Sequence, residues 1–206
     1  MKLVLFDLQN QKSVSETRNN NRIFLKFTPD SNYLGSGNNS GTVQVFKVPC
    51  LTLMHKIDLG RSSVSSLAFS TDNMLLASAF EENLLIVQSI GDLKIVYREE
   101  NVIVKSLVFC FNNQRLIYSI SFKIIVLDKY YKKIAVLNIR NAGLYLFVSE
   151  DNRKVLVTDF TIKWSCVDAV TSKILFNNLN SNHLKNWRAR DPKLRFFMSE
   201  PGINFS

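Results

Sequence analysis

LAFSTDNMLLASA, residues 67–79, is an apolar strand that runs into a Ser-Thr-Asp-Asn turn and out into a second apolar strand. Asp and Asn tolerate the backbone angles of a tight reversal, so the stretch reads as a β-hairpin. The same arrangement recurs as LKFTPDSNYLGSG at 25–37, LVFCFNNQRLIYS at 107–119 and LFVSEDNRKVLVT at 146–158. The apolar anchors Phe27, Phe69, Phe109 and Val148 lie 42, 40 and 39 residues apart. All four are expected to be buried at equivalent places.

A second landmark keeps the same phase. The short apolar strands LVLFD (3–7), VQVFK (43–47), LIVQ (85–88), IIVLD (124–128) and SCVD (165–168) end at Asp7, Lys47, Gln88, Asp128 and Asp168, spaced by 40, 41, 40 and 40 residues. Three continue alike, as DLQNQK (7–12), DKYYKK (128–133) and DAVTSK (168–173), each with Asp five residues before Lys. Two landmarks in register define a repeat of about 40 residues. Turn residues recur between β-branched and aromatic segments, and no stretch sustains helical periodicity, so each repeat reads as four antiparallel strands. An all-β sandwich with coincidental spacing is the alternative.

The repeat resembles the WD-repeat family, on FTPDSNYLGSG with SGTVQVF (27–46), FSTDNMLLASA (69–79) and the FDLQNQK and VDAVTSK turns. The resemblance implies a single β-propeller domain over residues 1–206, with about five four-stranded antiparallel blades. The family's Trp-Asp pair is represented by Phe6-Asp7, Leu127-Asp128 and Val167-Asp168; its Gly-His pair is absent, and Asp159 matches its tight-turn Asp. The chain opens inside a third strand at Leu3–Phe6, and residues 184–206, with Trp187 at the anchor position, match the repeat least well. Either the terminal strands share one blade and close the ring, or the repeats form part of a larger propeller.

Little in the sequence points to catalysis. His55 and His183 sit in no metal-binding spacing, RSSVSS (61–66) lacks a nucleophile elbow, and GSGNNSG (35–41) lacks the Gly-Lys-Ser/Thr ending of a phosphate loop. The paired carboxylates Glu81-Glu82, Glu99-Glu100 and Glu150-Asp151 are sequence neighbours, which is not the geometry of a hydrolytic pair. No enzyme activity, metal, cofactor or small-molecule substrate is expected. Cys50, Cys110 and Cys166 form no CxxC and read as reduced thiols. The N-terminus MKLVLFDLQNQ is too short and too charged for a signal peptide, and no apolar run approaches the length of a membrane span. An intracellular protein is expected, cytoplasmic rather than nuclear.

The net charge of +9 lies wholly in residues 101–206, which hold sixteen Lys/Arg against seven Asp/Glu. In a blade of strands a–b–c–d, the a–b and c–d turns share one end. From residue 101 on, that end carries Arg115, Lys129, Lys132, Lys133, Arg153, Lys154, Lys173, Arg188, Arg190 and Lys193 against Asp128, Glu150, Asp151, Asp168 and Asp191, a balance of +5. At the opposite end Asp58, Glu81, Glu82, Glu99, Glu100 and Asp159 face Arg61, Arg98, Lys123 and Arg140, a balance of −2. Aromatics lie among the cations at Tyr130-Tyr131 and at Trp187. The resemblance implies a protein-interaction scaffold, a subunit or adaptor of a larger complex. The basic end suggests a second reading, binding of RNA or anionic membrane lipid.

Overall fold

The computed structural model describes residues 2–18, 24–58, 62–140, 145–158 and 163–179. They fall into two compact units, residues 1–104 and 105–206. In the first, β1 (Lys2–Asp7) pairs with β2 (Lys12–Arg18). Two four-stranded antiparallel meanders follow: β3 (Phe24–Phe27), β4 (Tyr33–Gly37), β5 (Thr42–Lys47) and β6 (Thr52–Asp58), then β7 (Val64–Phe69), β8 (Leu75–Phe80), β9 (Leu84–Ser89) and β10 (Ile95–Glu100). The second unit holds β11 (Ser106–Cys110), β12 (Arg115–Ile120), β13 (Lys123–Asp128) and β14 (Lys133–Asn138), then β15 (Tyr145–Val148), β16 (Lys154–Thr158), β17 (Trp164–Asp168) and β18 (Lys173–Leu179). The two landmarks of the repeat are therefore the β-hairpins of strands a and b and the C-terminal ends of strands c. Among the described residues, four copies have all four strands, and the first copy supplies strands c and d as β1 and β2.

Burial explains the composition of each strand. The middle strands β8, β9, β12, β13, β16 and β17 bury at least four consecutive residues each, so both of their faces are covered; the runs are mainly apolar, with Ser78, Gln88, Ser119, Thr158 and Ser165 buried among them. The fourth strands β10 and β14 alternate exposed and half-buried residues, because only one face meets the core. Within the first unit, β3 and β4 pack against β7. Glycine makes that approach possible. A Cβ on Gly37 would stand 2.5 Å from Val64 Cγ1, and one on Gly35 would stand 2.8 Å from Phe69 Cζ. Val43, Val45, Val64, Phe69, Leu76 and Ile86 form the core there. Leu3 of β1 joins Leu34, Phe46 and Leu51 in a smaller cluster. In the second unit β11 and β12 pack against β15, around Cys110, Ile117, Val126, Val155 and Val167.

The anchors behave unequally. Phe69 and Phe109 are buried as expected, Val148 is half-buried, and Phe27 is 45% exposed. Phe69 shows the reason, since its ring lies over Gly35 of the preceding sheet. Phe27 has no preceding strand b across it among the described residues. Residues 184–206, Trp187 and Asp159 lie outside the described residues, and with them the question of ring closure.

Candidate functional site

The a–b turns are built by a side chain that the repeat pattern alone does not single out. Thr28, Ser70 and Ser149 are buried, and each donates its hydroxyl to the carboxylate two residues on: Thr28 to Asp30 Oδ1 at 2.6 Å, Ser70 to Asp72 at 2.5 Å and Ser149 to Asp151 at 2.6 Å. The same hydroxyls accept the backbone N–H groups of Tyr33 (3.0 Å), Leu75 (2.8 Å) and Lys154 (2.9 Å). Thr28 thereby holds the Asp30 carboxyl below its ordinary range. The signal is present in the sequence as Thr-Pro-Asp, Ser-Thr-Asp and Ser-Glu-Asp directly after each anchor. The third copy departs from it with Cys110 and Asn112, and Cys110 Sγ lies 4.0 Å from the Arg115 carbonyl instead. Burial raises that thiol to about 12.

The c–d turns are closed by the Asp of the second landmark. Asp7 Oδ1 accepts the N–H groups of Gln9 and Asn10, Asp128 Oδ1 those of Tyr130 and Lys132 (both 2.9 Å), and Asp168 Oδ1 those of Val170 and Thr171. These are Asx-type turns, in which a carboxylate satisfies amides that the strand ladder leaves open. Backbone bonds then tie c–d turns to a–b turns: Val48 N–H to Asn32 O, Ile90 N–H to Met74 O and Ala169 N–H to Arg153 O, at 2.8 to 2.9 Å.

In the second unit this network joins three turns at one end, the two a–b turns and the last c–d turn. The Phe111 N–H donates to Asn152 O at 2.6 Å, linking the a–b turns of the two sheets, and the Ala169 bond links the last c–d turn to Arg153. Seven of the ten candidate cations stand there: Arg115, Lys129, Lys132, Lys133, Arg153, Lys154 and Lys173. Arg188, Arg190 and Lys193 lie outside the described residues. Seven cations against Asp128, Glu150, Asp151 and Asp168 leave a balance of +3 for the described part.

Strand register subdivides that charge in a way spacing did not reveal. Arg115 stands opposite Asp128, and Lys154 opposite Asp168, so each basic start of a strand b faces the acidic end of a strand c. The Arg115 guanidinium lies 5.8 Å from the Phe111 ring centroid, and its Nη1 donates to Gln114 O at 2.8 Å. Lys129, Lys132, Lys133, Arg153 and Lys173 are exposed, and Lys129 Nζ sits 4.9 Å from the centroid of the Tyr130 ring.

At the opposite end of the first unit, Ser62, Phe80, Glu82, Asn83, Leu84, Arg98 and Glu100 line a recess of about 150 Å³. Arg98 pairs with Glu100 there at 2.7 Å, and Glu82 N–H is held by Ser62 Oγ. Glu100 is thus neutralised along its own strand, and Glu82 is tied to the Ser62 turn through its backbone amide. Among the described residues no group of His, Cys, Asp and Glu could hold a metal ion, and no helix is long and apolar enough to cross a membrane.

No protein-family model matches the sequence, and no curated protein matches it either. Solved structures do. The β-propeller domain of Myceliophteria thermophila Cps50 (Swd1) superposes with a TM-score of 0.68 at 14% identity, over 80% of this chain and 57% of that one. The fold is that of a β-propeller. Its meanders are therefore blades, as the WD-repeat resemblance implied. Kuenenia stuttgartiensis hydrazine synthase is also similar, with a TM-score of 0.64 at 15% identity, over 75% of this chain and 47% of that one. The propeller repeats of this chain span about half the length of the solved chains that they match.

Proposed function

We propose that the chain, taken as one propeller domain, is a non-enzymatic interaction scaffold of the WD-repeat type, acting as a subunit or adaptor of a larger complex. One observation carries the reading. In three a–b turns and three c–d turns, amides are bound by the turns' own Thr, Ser and Asp side chains, so charged and aromatic side chains are displayed on a preformed surface that needs little ordering on binding. The likeness to the Swd1 propeller domain is consistent with this reading at the level of fold. Three free thiols, Cys50, Cys110 and Cys166, suit a reducing compartment and favour the cytoplasm.

The test is isolation of the tagged full chain from its source cell in about 0.5 M salt, after ribonuclease treatment. A protein that co-elutes in fixed stoichiometry is the expected result, because contacts with an apolar or hydrogen-bonded centre survive screening that removes phosphate-driven binding. A chain that elutes alone, or whose partner disappears with ribonuclease, would overturn the reading.

A further inference from the structure

We propose that the a–b and c–d turn end of the second unit docks an acidic segment of a partner protein, with Tyr130 as its aromatic anchor and Lys129, Lys132 and Arg153 as the cations that hold it. The inference rests on the scaffold reading and names the class of partner.

The five c–d turns among the described residues all reverse the chain over four central residues and differ in what they display. Their four central residues read Leu-Gln-Asn-Gln (8–11), Val-Pro-Cys-Leu (48–51), Ile-Gly-Asp-Leu (90–93), Lys-Tyr-Tyr-Lys (129–132) and Ala-Val-Thr-Ser (169–172). In each, one of the last two residues takes a positive φ: Gln11, Leu51, Leu93, Tyr131 and Ser172. The backbone thus needs one left-handed residue in every turn, at the third position in 129–132 and at the fourth in the others. Only the fourth turn answers it with cations and aromatics, and nothing in the turn geometry requires them. A charge bias serving solubility alone would have no reason to concentrate in one copy.

The turn is also built to hold its display still. Asp128 Oδ1 accepts the N–H groups of Tyr130 and Lys132, and Asp128 exchanges backbone bonds with Tyr131 and Lys132 at 2.9 and 3.0 Å. Tyr130 nevertheless remains 77% exposed. A rigid aromatic with an exposed ring is the residue type that dominates binding energy at protein interfaces, because burying it costs little ordering. The Lys129 ammonium beside the ring would meet a carboxylate arriving with the apolar contact.

Charge decides the partner. The Asp128, Asp151 and Asp168 carboxylates each have Oδ1 bound within their own turn, while Glu150 is exposed in the a–b turn that carries Arg153. A nucleic acid places a phosphate charge at every nucleotide and would be forced past those carboxylates. An extended peptide presents alternate side chains to one face, about 6.8 Å apart, and its acidic residues can meet separated cations while apolar ones meet Tyr130.

The experiment places the photocrosslinking residue benzoylphenylalanine at Tyr130 of the full chain, and in a control at Phe122, which is 59% exposed in the b–c turn of the same blade. Irradiation in the source cell is followed by mapping of the crosslinked peptides. Position 130 should capture a protein segment of net negative charge that position 122 does not. A synthetic copy of that segment should bind the wild-type chain and lose about tenfold or more in affinity to Lys129→Glu/Lys132→Glu/Arg153→Glu, with melting unchanged since these groups are exposed. A neutral or basic segment, a crosslink to RNA, no crosslink at 130, or undiminished affinity would overturn the proposal. If the triple variant keeps its stoichiometric partner, this surface is wrong and the scaffold stands. If the wild-type chain has no partner, the scaffold reading itself fails.

Discussion

Replacing Ser149 by Ala removes one atom from a buried position and two hydrogen bonds with it. Ser149 Oγ donates to the Asp151 carboxylate at 2.6 Å and accepts the Lys154 N–H at 2.9 Å. A hydrogen bond to a charged group contributes about 1.5 to 3 kcal/mol, and an amide left without its acceptor costs about 1 to 3 kcal/mol. The turn can relax toward water on its outer side, so the expected loss is about 2 to 4 kcal/mol rather than the full sum. A double-mutant cycle with Asp151→Ala should show a coupling of about 2 kcal/mol, within the range found for residues in direct contact. Thr28 occupies the same place in the first complete blade, so Ser149→Thr should change stability by less than about 0.5 kcal/mol. Urea denaturation followed by tryptophan fluorescence suits the measurement, because Trp164 is buried in β17 of the same sheet. A loss below about 0.5 kcal/mol for Ser149→Ala, or a coupling indistinguishable from zero, would refute the view that the hydroxyl builds the turn.

Two further outcomes are expected. Gly37→Ala should destabilise the first unit by about 1 to 3 kcal/mol, because the new Cβ would meet Val64 Cγ1 at 2.5 Å, and Val64→Ala should relieve most of the loss; a neutral Gly37→Ala would show that β4 and β7 are not held at this distance. At pH 8 a thiol reagent should modify Cys50 alone in the native chain, since it is exposed with its pKa lowered chiefly by the Thr52 hydroxyl, whereas Cys110 is buried with its pKa near 12; reaction of Cys110 or Cys166 before denaturation would contradict their burial.

The sequence by itself determined the repeat, the four-stranded unit and the places where the chain turns. These are local properties: Phe69 before Ser70-Thr71-Asp72 and Asp128 before Lys129–Lys133 carry their turn chemistry within a few residues, and a period of about 40 carries it along the chain. It also carries the hydroxyls of Thr28, Ser70 and Ser149 two residues before the a–b turn carboxylates of Asp30, Asp72 and Asp151. What only the tertiary structure decided was pairing and cover. Arg115 opposite Asp128 and Lys154 opposite Asp168 follow from strand register, which leaves Lys129, Lys132, Lys133, Arg153 and Lys173 as the exposed cations of that end among the described residues. Phe27 and Phe69 have the same place in the repeat, yet one is exposed and the other buried, because burial belongs to the neighbouring sheet and not to the residue.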